Sequence, residues 1–258
     1  MIALGTCILL ENNKIAKDTY RMSLKCDFAG KCTPGQFIHL AIPDFASHIL
    51  RRPFSIHTAD AENGTVDIVY KTVGQGTAAM SQLQKDIRLD VIGPLGNGYA
   101  MPQGTRKAWL VGGGLGIAPL LFIPKYYPDV LYEAFLGFCD CGSVYSTDSF
   151  EAVCGKVHTS TDDGSFCRLG FVTDMVKEAL QDERPDIIYA CGPVPMLKAL
   201  KSVLAGTDIS CQVALEERMG CGVGACLTCN CKVNREDGWH YARVCREGPV
   251  FLLSEVEL

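Results

Sequence analysis

Leu110-Val-Gly-Gly-Gly-Leu-Gly-Ile-Ala-Pro119 divides the chain into two textures. An apolar run enters it and glycines stand at 112, 113, 114 and 116. The pattern predicts a strand turning tightly into a helix, with exposed amides facing a diphosphate. Upstream, short β-rich stretches alternate with turn signals: Thr19–Lys25, Gln36–Ile42, Phe54–Thr58, Thr65–Lys71 and Arg88–Ile92. That spacing predicts an antiparallel barrel over residues 1–100. Downstream, strands at Leu131–Phe138 and Asp186–Ala190 are separated by helical patterns such as Val172–Leu180. A parallel α/β sheet is therefore expected over 101–210.

Residues 211–258 are rich in cysteine and too short for a large core, so a metal is expected to organise them. Cys221, Cys226, Cys229 and Cys245 follow a C-x4-C-x2-C spacing with one later cysteine, the ligand pattern of a plant-type [2Fe–2S] cluster. Glycines at 220, 222 and 224 let the loop aim amides at charged sulfurs. Four thiolates also suit structural zinc, but zinc ribbons space their C-x2-C knuckles widely, whereas three ligands here share one nine-residue loop. Cys231 is a fifth cysteine within reach that the spacing leaves out.

Arg51-Arg-Pro-Phe-Ser-Ile56 lies on an expected barrel strand. Alone it reads as a solvated strand edge. Beside the glycine turn it offers what a flavin nucleotide needs, a guanidinium for a pyrophosphate and a hydroxyl for the isoalloxazine. Val73-Gly-Gln-Gly-Thr-Ala-Ala79 follows the strand Val69–Lys71, with close backbone approach at Gly74 and Gly76 and a helix start capped by Thr77. Ile92–Gly98 reads as a structural exit from the barrel. Tyr189-Ala-Cys-Gly-Pro-Val-Pro-Met196 is a strand end, turn and helix that would border a ligand at the sheet's carboxyl edge.

The chain has 258 residues, room for two ordinary domains and an appendage. Its net charge of −5, with 24 basic and 29 acidic residues interspersed, offers no basic tract for nucleic acid. The longest uncharged run, Ala108–Pro124, is broken by glycine and proline, so no membrane span is expected. Fourteen cysteines in a long chain that opens without a basic leader suggest a reduced, cytoplasmic protein, with Cys7, Cys26 and Cys154 as buried thiols.

In this order the motifs resemble the ferredoxin-NADP reductase superfamily. Thr161-Asp-Asp-Gly-Ser165, Gly170-Phe-Val-Thr-Asp174, Leu215-Glu-Glu-Arg-Met-Gly-Cys-Gly-Val-Gly-Ala-Cys226 and Val244-Cys-Arg-Glu-Gly-Pro-Val-Phe251 are similar, more closely, to the electron-transfer subunit of type B dihydroorotate dehydrogenase. The resemblance implies a multi-domain protein: an antiparallel β-barrel flavin domain, an α/β parallel-sheet nucleotide domain and a small C-terminal iron–sulfur domain. It implies FAD contacts from Arg52, Pro53, Phe54 and Ser55, from Val69, Tyr70 and Lys71, and from Gly76 and Thr77. NAD would dock at Gly112, Gly113, Gly114 and Gly116 and at Cys191, Gly192, Pro193 and Met196. The cluster would sit on Cys221, Cys226, Cys229 and Cys245. The implied partner is an FMN-containing dihydroorotate dehydrogenase catalytic subunit, in a heterotetramer of two chains of each kind.

The expected circuit joins NAD, FAD and the cluster to the partner's FMN, since a nicotinamide exchanges two electrons as a hydride and a cluster exchanges one. No acid–base pair for a carbon substrate is expected on this chain. The rival readings are an NAD(P)H-linked subunit serving a hydrogenase or ferredoxin-dependent oxidoreductase, and a binding module with structural zinc. The pair Asp162-Asp163 fits either a capped turn at Gly164 or carboxylates that accept ribose hydroxyls and favour NADH over NADPH. Phe138-Cys-Asp-Cys-Gly142 adds two cysteines that the family reading does not use.

Overall fold

The computed structural model describes residues 3–43 and 50–258. Six antiparallel strands close into a barrel: β1 (Ala3–Ala16), β2 (Thr19–Lys25), β3 (Phe37–Leu40), β4 (Arg52–Asp60), β5 (Thr65–Lys71) and β6 (Arg88–Leu95), in the order β1-β2-β5-β4-β3-β6. β2 and β5 have the bounds their alternation predicts. β1 was not among the expected strands, and its centre, Glu11-Asn-Asn-Lys14, is polar. Register shifts on either side of that run keep it in the ladder. Asn12 is held there by its Nδ2 donating to the Met80 carbonyl (2.8 Å) and its Oδ1 accepting from the Tyr70 hydroxyl (2.9 Å).

The helix α1 (Gln75–Met80) follows β5 with Gly74 as its N-cap residue. Thr77 caps it from inside the first turn rather than from the boundary. Its Oγ1 accepts from the amides of Val73 (2.9 Å) and Gly74 (3.3 Å).

The second unit contains β7 (Lys107–Gly113), α2 (Phe122–Tyr126), β8 (Leu131–Phe138), α3 (Thr147–Glu151), β9 (Lys156–Thr161), β10 (Arg168–Leu169), α4 (Val172–Asp182), β11 (Ile187–Cys191), α5 (Val194–Val203) and β12 (Ser210–Ala214). Its sheet runs β10-β9-β8-β7-β11-β12 in parallel. The glycine turn leads into the expected helix, which runs as a 3₁₀ helix over Gly114–Leu121 before α2. Gly114 turns the chain at a φ of +54°, and Pro119 has no N–H to extend an α-helical ladder.

The last residues form the hairpin β13 (Asn230–Arg235) and β14 (Gly238–Arg243), then β15 (Val250–Leu252). β15 pairs antiparallel with β12 and becomes the sheet's seventh strand. β12 straddles the boundary expected at 210. Val233, Ala242, Val244, Phe251 and Val256 share a core with Trp109, Phe135 and Ile188 of the sheet and with Phe37 and Leu95 of the barrel. The cysteine-rich part therefore draws apolar packing from its neighbours as well as from any metal. Each large side chain fully buried there contributes about 1.5–3 kcal/mol.

Cys7 and Cys26 were expected as separate thiols. They follow the Ile8 and Lys25 pairing of β1 and β2, and they are joined as a disulfide with a Cα–Cα separation of 4.8 Å. No helix among the described residues is long and apolar enough to cross a membrane.

Candidate functional site

A cleft of about 370 Å³ opens where the barrel meets the carboxyl edge of the sheet. Barrel residues Pro53, Phe54, Ser55 and Val69 form one wall. Gly113 and Gly116 of the glycine turn form another, with Cys191, Gly192 and Pro193 beside them. The two glycine-bearing turns touch: a Cβ added to Gly116 would lie 2.3 Å from the Cys191 carbonyl oxygen, and one on Gly192 would lie 2.6 Å from Met196 Cε. Met196 Sδ likewise packs over Gly113. Only glycine lets these backbones approach so closely.

Several expected residues stand off the cleft surface. Tyr70 lies in the barrel core, its ring stacked on Tyr20 and its phenol pKa raised by burial. Gly112 is packed beneath Ile117 and Leu120, while Gly114 faces open space. Lys71 is exposed at the end of β5.

The two arginines of the Arg51–Ile56 strand have different surroundings. Arg51 bonds Asp90 Oδ2 at 2.5 Å and the Asp90 carbonyl at 2.9 Å. Arg52 lies against α1, where a Cβ on Gly76 would stand 3.3 Å from both Nε and Nη2. Arg52, Gly76 and Thr77 thus come together as one polar corner beside the cleft.

The cysteine loop carries left-handed backbone at Gly222 (φ +71°) and Gly224 (φ +83°). This curls three amides onto Cys221 Sγ, from Val223 (3.5 Å), Ala225 (3.2 Å) and Cys226 (3.4 Å). The Cys245 amide points at Cys229 Sγ (3.4 Å). Cys226 is exposed, and the Thr228 hydroxyl and amide, followed by Cys221, pull its thiol down to about 6. Burial, with Cys229 alongside, pushes Cys245 up to about 12.

Among the four cysteines, the Cys226 amide donates to Cys221 Sγ and the Cys245 amide to Cys229 Sγ. Among the described residues no three potential ligands already converge on one point. Amides aimed at sulfur nevertheless suit thiolates that hold iron, so the donor set fits a cluster. Cys231 lies on β13, its thiol pushed up to about 11 by burial. The Arg243 guanidinium pairs with Glu247 and donates to the Gly224 carbonyl (2.9 Å), bracing the loop.

Some residues at the site were not among the expected contacts. Leu215, Glu216, Glu217 and Met219 line the cleft because β12 ends at the same edge as β11 and the chain must cross the cleft mouth to reach the cysteines. Burial raises the Cys191 thiol to about 12, and the Glu216 carboxylate adds to it. His39 on β3 is fully buried, and among the described residues neither ring nitrogen has a hydrogen-bond partner. Leaving such a donor unmet costs about 1–3 kcal/mol. Asp163 Oδ1 accepts from the amide (2.9 Å) and hydroxyl (2.6 Å) of Ser165, the capped turn expected at Gly164.

Residues 6–99 match the oxidoreductase FAD-binding domain family, and residues 216–257 match the iron–sulfur cluster binding domain of dihydroorotate dehydrogenase B. The chain is 44% identical over 260 residues to the dihydroorotate dehydrogenase B (NAD(+)) electron transfer subunit of Fusobacterium nucleatum, covering 98% of both chains. It is 40% identical to the subunit of that name from Geobacillus thermodenitrificans, covering 100% of both. Among solved structures, an NADH-dependent reduced ferredoxin-NADP oxidoreductase superposes with a TM-score of 0.86 at 25% identity, covering 99% of this chain and 91% of that one. The ferredoxin reductase of carbazole 1,9a-dioxygenase, at 22% identity and a TM-score of 0.70 over 81% of this chain and 67% of its own, shares the fold.

Proposed function

The chain belongs to the electron transfer subunits of dihydroorotate dehydrogenase B, and on that premise we propose that it carries electrons between the FMN of a dihydroorotate-oxidising partner subunit and NAD. Bound FAD, NAD and a [2Fe–2S] cluster supply the exchange between a hydride and single electrons. This chain's residues bind, orient and tune.

Arg52, beside Gly76 and Thr77, grips the flavin pyrophosphate, and Ser55 donates its hydroxyl to the isoalloxazine. Pro53, Phe54, Val69, Tyr70 and Lys71 shape the rest of the flavin seat. The nicotinamide nucleotide enters over Gly113 and Gly116 and against Cys191–Pro193, with Gly112, Gly114 and Met196 holding that turn. Cys221, Cys226, Cys229 and Cys245 hold the iron. Residues 1–100, 101–210 and 211–258 serve as flavin, nicotinamide and cluster domains. Pyrimidine synthesis in the cytoplasm, by a heterotetramer with the FMN subunit, is the setting that fits.

The cleft carries this reading, because one wall comes from the arginine-bearing barrel strand and the other from two glycine turns at the sheet edge. Co-purification tests it. The native complex should contain an FMN subunit, show flavin and iron–sulfur absorbance, and reduce NAD⁺ with dihydroorotate. A hydrogenase or ferredoxin partner, or a colourless zinc protein, would overturn it.

A further inference from the structure

His39 lies between the flavin strand and the cysteine loop. On one side it pairs in register with Pro53 of β4, immediately next to Arg52. On the other, a Cβ built on Gly222 would lie 2.5 Å from its Nδ1, so the ring fills the space that this glycine leaves open. The carbonyls of Arg51 and Cys221 come near the ring, yet neither closes a hydrogen bond to it. An imidazole carries at least one N–H in either protonation state, so this enclosed site holds a donor without an acceptor among the described residues.

The donors already around Cys221 Sγ all come from its own loop: the amides of Val223, Ala225 and Cys226. The barrel side contributes none of these. A sulfur-held iron centre on Cys221 would bring acceptors to that side, where the unmet N–H waits. We infer that His39 donates a ring N–H to a sulfur of the iron–sulfur centre, as a hydrogen bond reaching from the flavin barrel into the cluster domain.

A reduced cluster is more negative than an oxidised one, so a donor to its sulfur stabilises the reduced form and raises its potential. His39 would then draw single electrons toward the cluster from the same barrel that seats the flavin. No proton is gained or lost in this role.

This role of His39 rests on the proposed function, since it needs a cluster on Cys221. An EPR-monitored redox titration of the complex with its FMN subunit compares the native chain with His39→Phe and His39→Gln. His39→Phe fills the space without a donor. It should shift the one-electron equilibrium about tenfold away from the cluster, about 59 mV to lower potential. His39→Gln restores an N–H and should recover part of the shift, with the flavin potential unmoved in both variants.

A native cluster content with an unchanged cluster potential in His39→Phe overturns the inference, as does a shift confined to the flavin. If the variants fail to load, the native complex labelled with ¹⁵N-histidine decides. A weak ¹⁵N coupling with an exchangeable proton at the reduced cluster supports His39 as donor, and their absence overturns it. A native complex without any iron–sulfur signal would sink the functional reading itself, and this inference with it.

Discussion

Nδ1 of His57, on β4 of the barrel, lies 2.6 Å from the carbonyl oxygen of Ala118, two residues beyond Gly116 in the 3₁₀ turn. The imidazole is only 2% exposed, so this bond ties the barrel to the glycine turn inside the protein. With Nδ1 as the N–H and Ala118 as acceptor, the neutral ring already makes the contact.

Burial lowers the His57 pKa from the usual 6.5 to about 4, with the Ala118 carbonyl opposing the shift. Below pH 6.5 the unfolded chain takes up a proton that the folded ring refuses until about pH 4. The stability tied to His57 is therefore complete above pH 6.5 and is lost as pH falls from there toward 4. The slope is up to about 1.4 kcal/mol per pH unit. We predict that urea midpoints of His57→Leu vary less between pH 7.5 and 5 than those of the native chain. Equal pH dependence in the two proteins would remove His57 as the cause.

Gly116→Ala should damage the nicotinamide side selectively. Its Cβ would stand 2.3 Å from the Cys191 carbonyl oxygen and 2.7 Å from Gly192 Cα, backbone against backbone, so one turn must move. Overpacking of this kind costs about 1–3 kcal/mol. We expect flavin content to stay near native while kcat/KM for NADH with an artificial acceptor falls at least about tenfold. An unchanged kcat/KM for NADH at native flavin content would contradict this placement.

Much of this arrangement was legible in the residues. β2, β5 and β8 keep the bounds their apolar patterns predict, because period-two alternation or an unbroken apolar run is a local property. β1 was hidden because its polar centre is held by Asn12 bonding to Met80, far along the chain. The 3₁₀ turn was masked by apolar residues that suit either helix. His39 in Phe37-Ile-His-Leu40 looks like one polar residue on a strand. Its meaning depends on Gly222, which is distant in sequence and reaches it only through the fold. Glu216 and Glu217 stand in the Leu215–Cys226 motif, but only the parallel pairing of β11 and β12 puts them at the cleft.

Arg52→Ala should weaken flavin retention. Arg51 is engaged by Asp90; Arg52, which donates to the Leu50 carbonyl, lies over Gly76, at the corner where the pyrophosphate is proposed to bind. A hydrogen bond from a charged group contributes about 1.5–3 kcal/mol, so FAD affinity should fall roughly ten- to hundredfold. Flavin per chain after gel filtration, with rebinding followed by fluorescence, measures it. Arg51→Ala is the contrast and should retain flavin while costing modest stability through Asp90.

Cys226→Ser should separate the two ends of the circuit. Cys226 is the exposed thiol of the set, and Thr228 and Cys221 stabilise its thiolate. A serine hydroxyl binds iron poorly, and three remaining thiolates leave the cluster labile. The cleft where flavin and nicotinamide are proposed to meet is lined by the barrel, Gly116 and Cys191 and does not include Cys226. The variant should therefore lose most of the iron–sulfur EPR signal and the reduction of NAD⁺ by dihydroorotate in the complex. NADH oxidation by a dye that accepts from the flavin should persist within about twofold. Full NAD⁺ reduction by dihydroorotate in a cluster-free variant would show that electrons reach the flavin without passing through the cysteine loop.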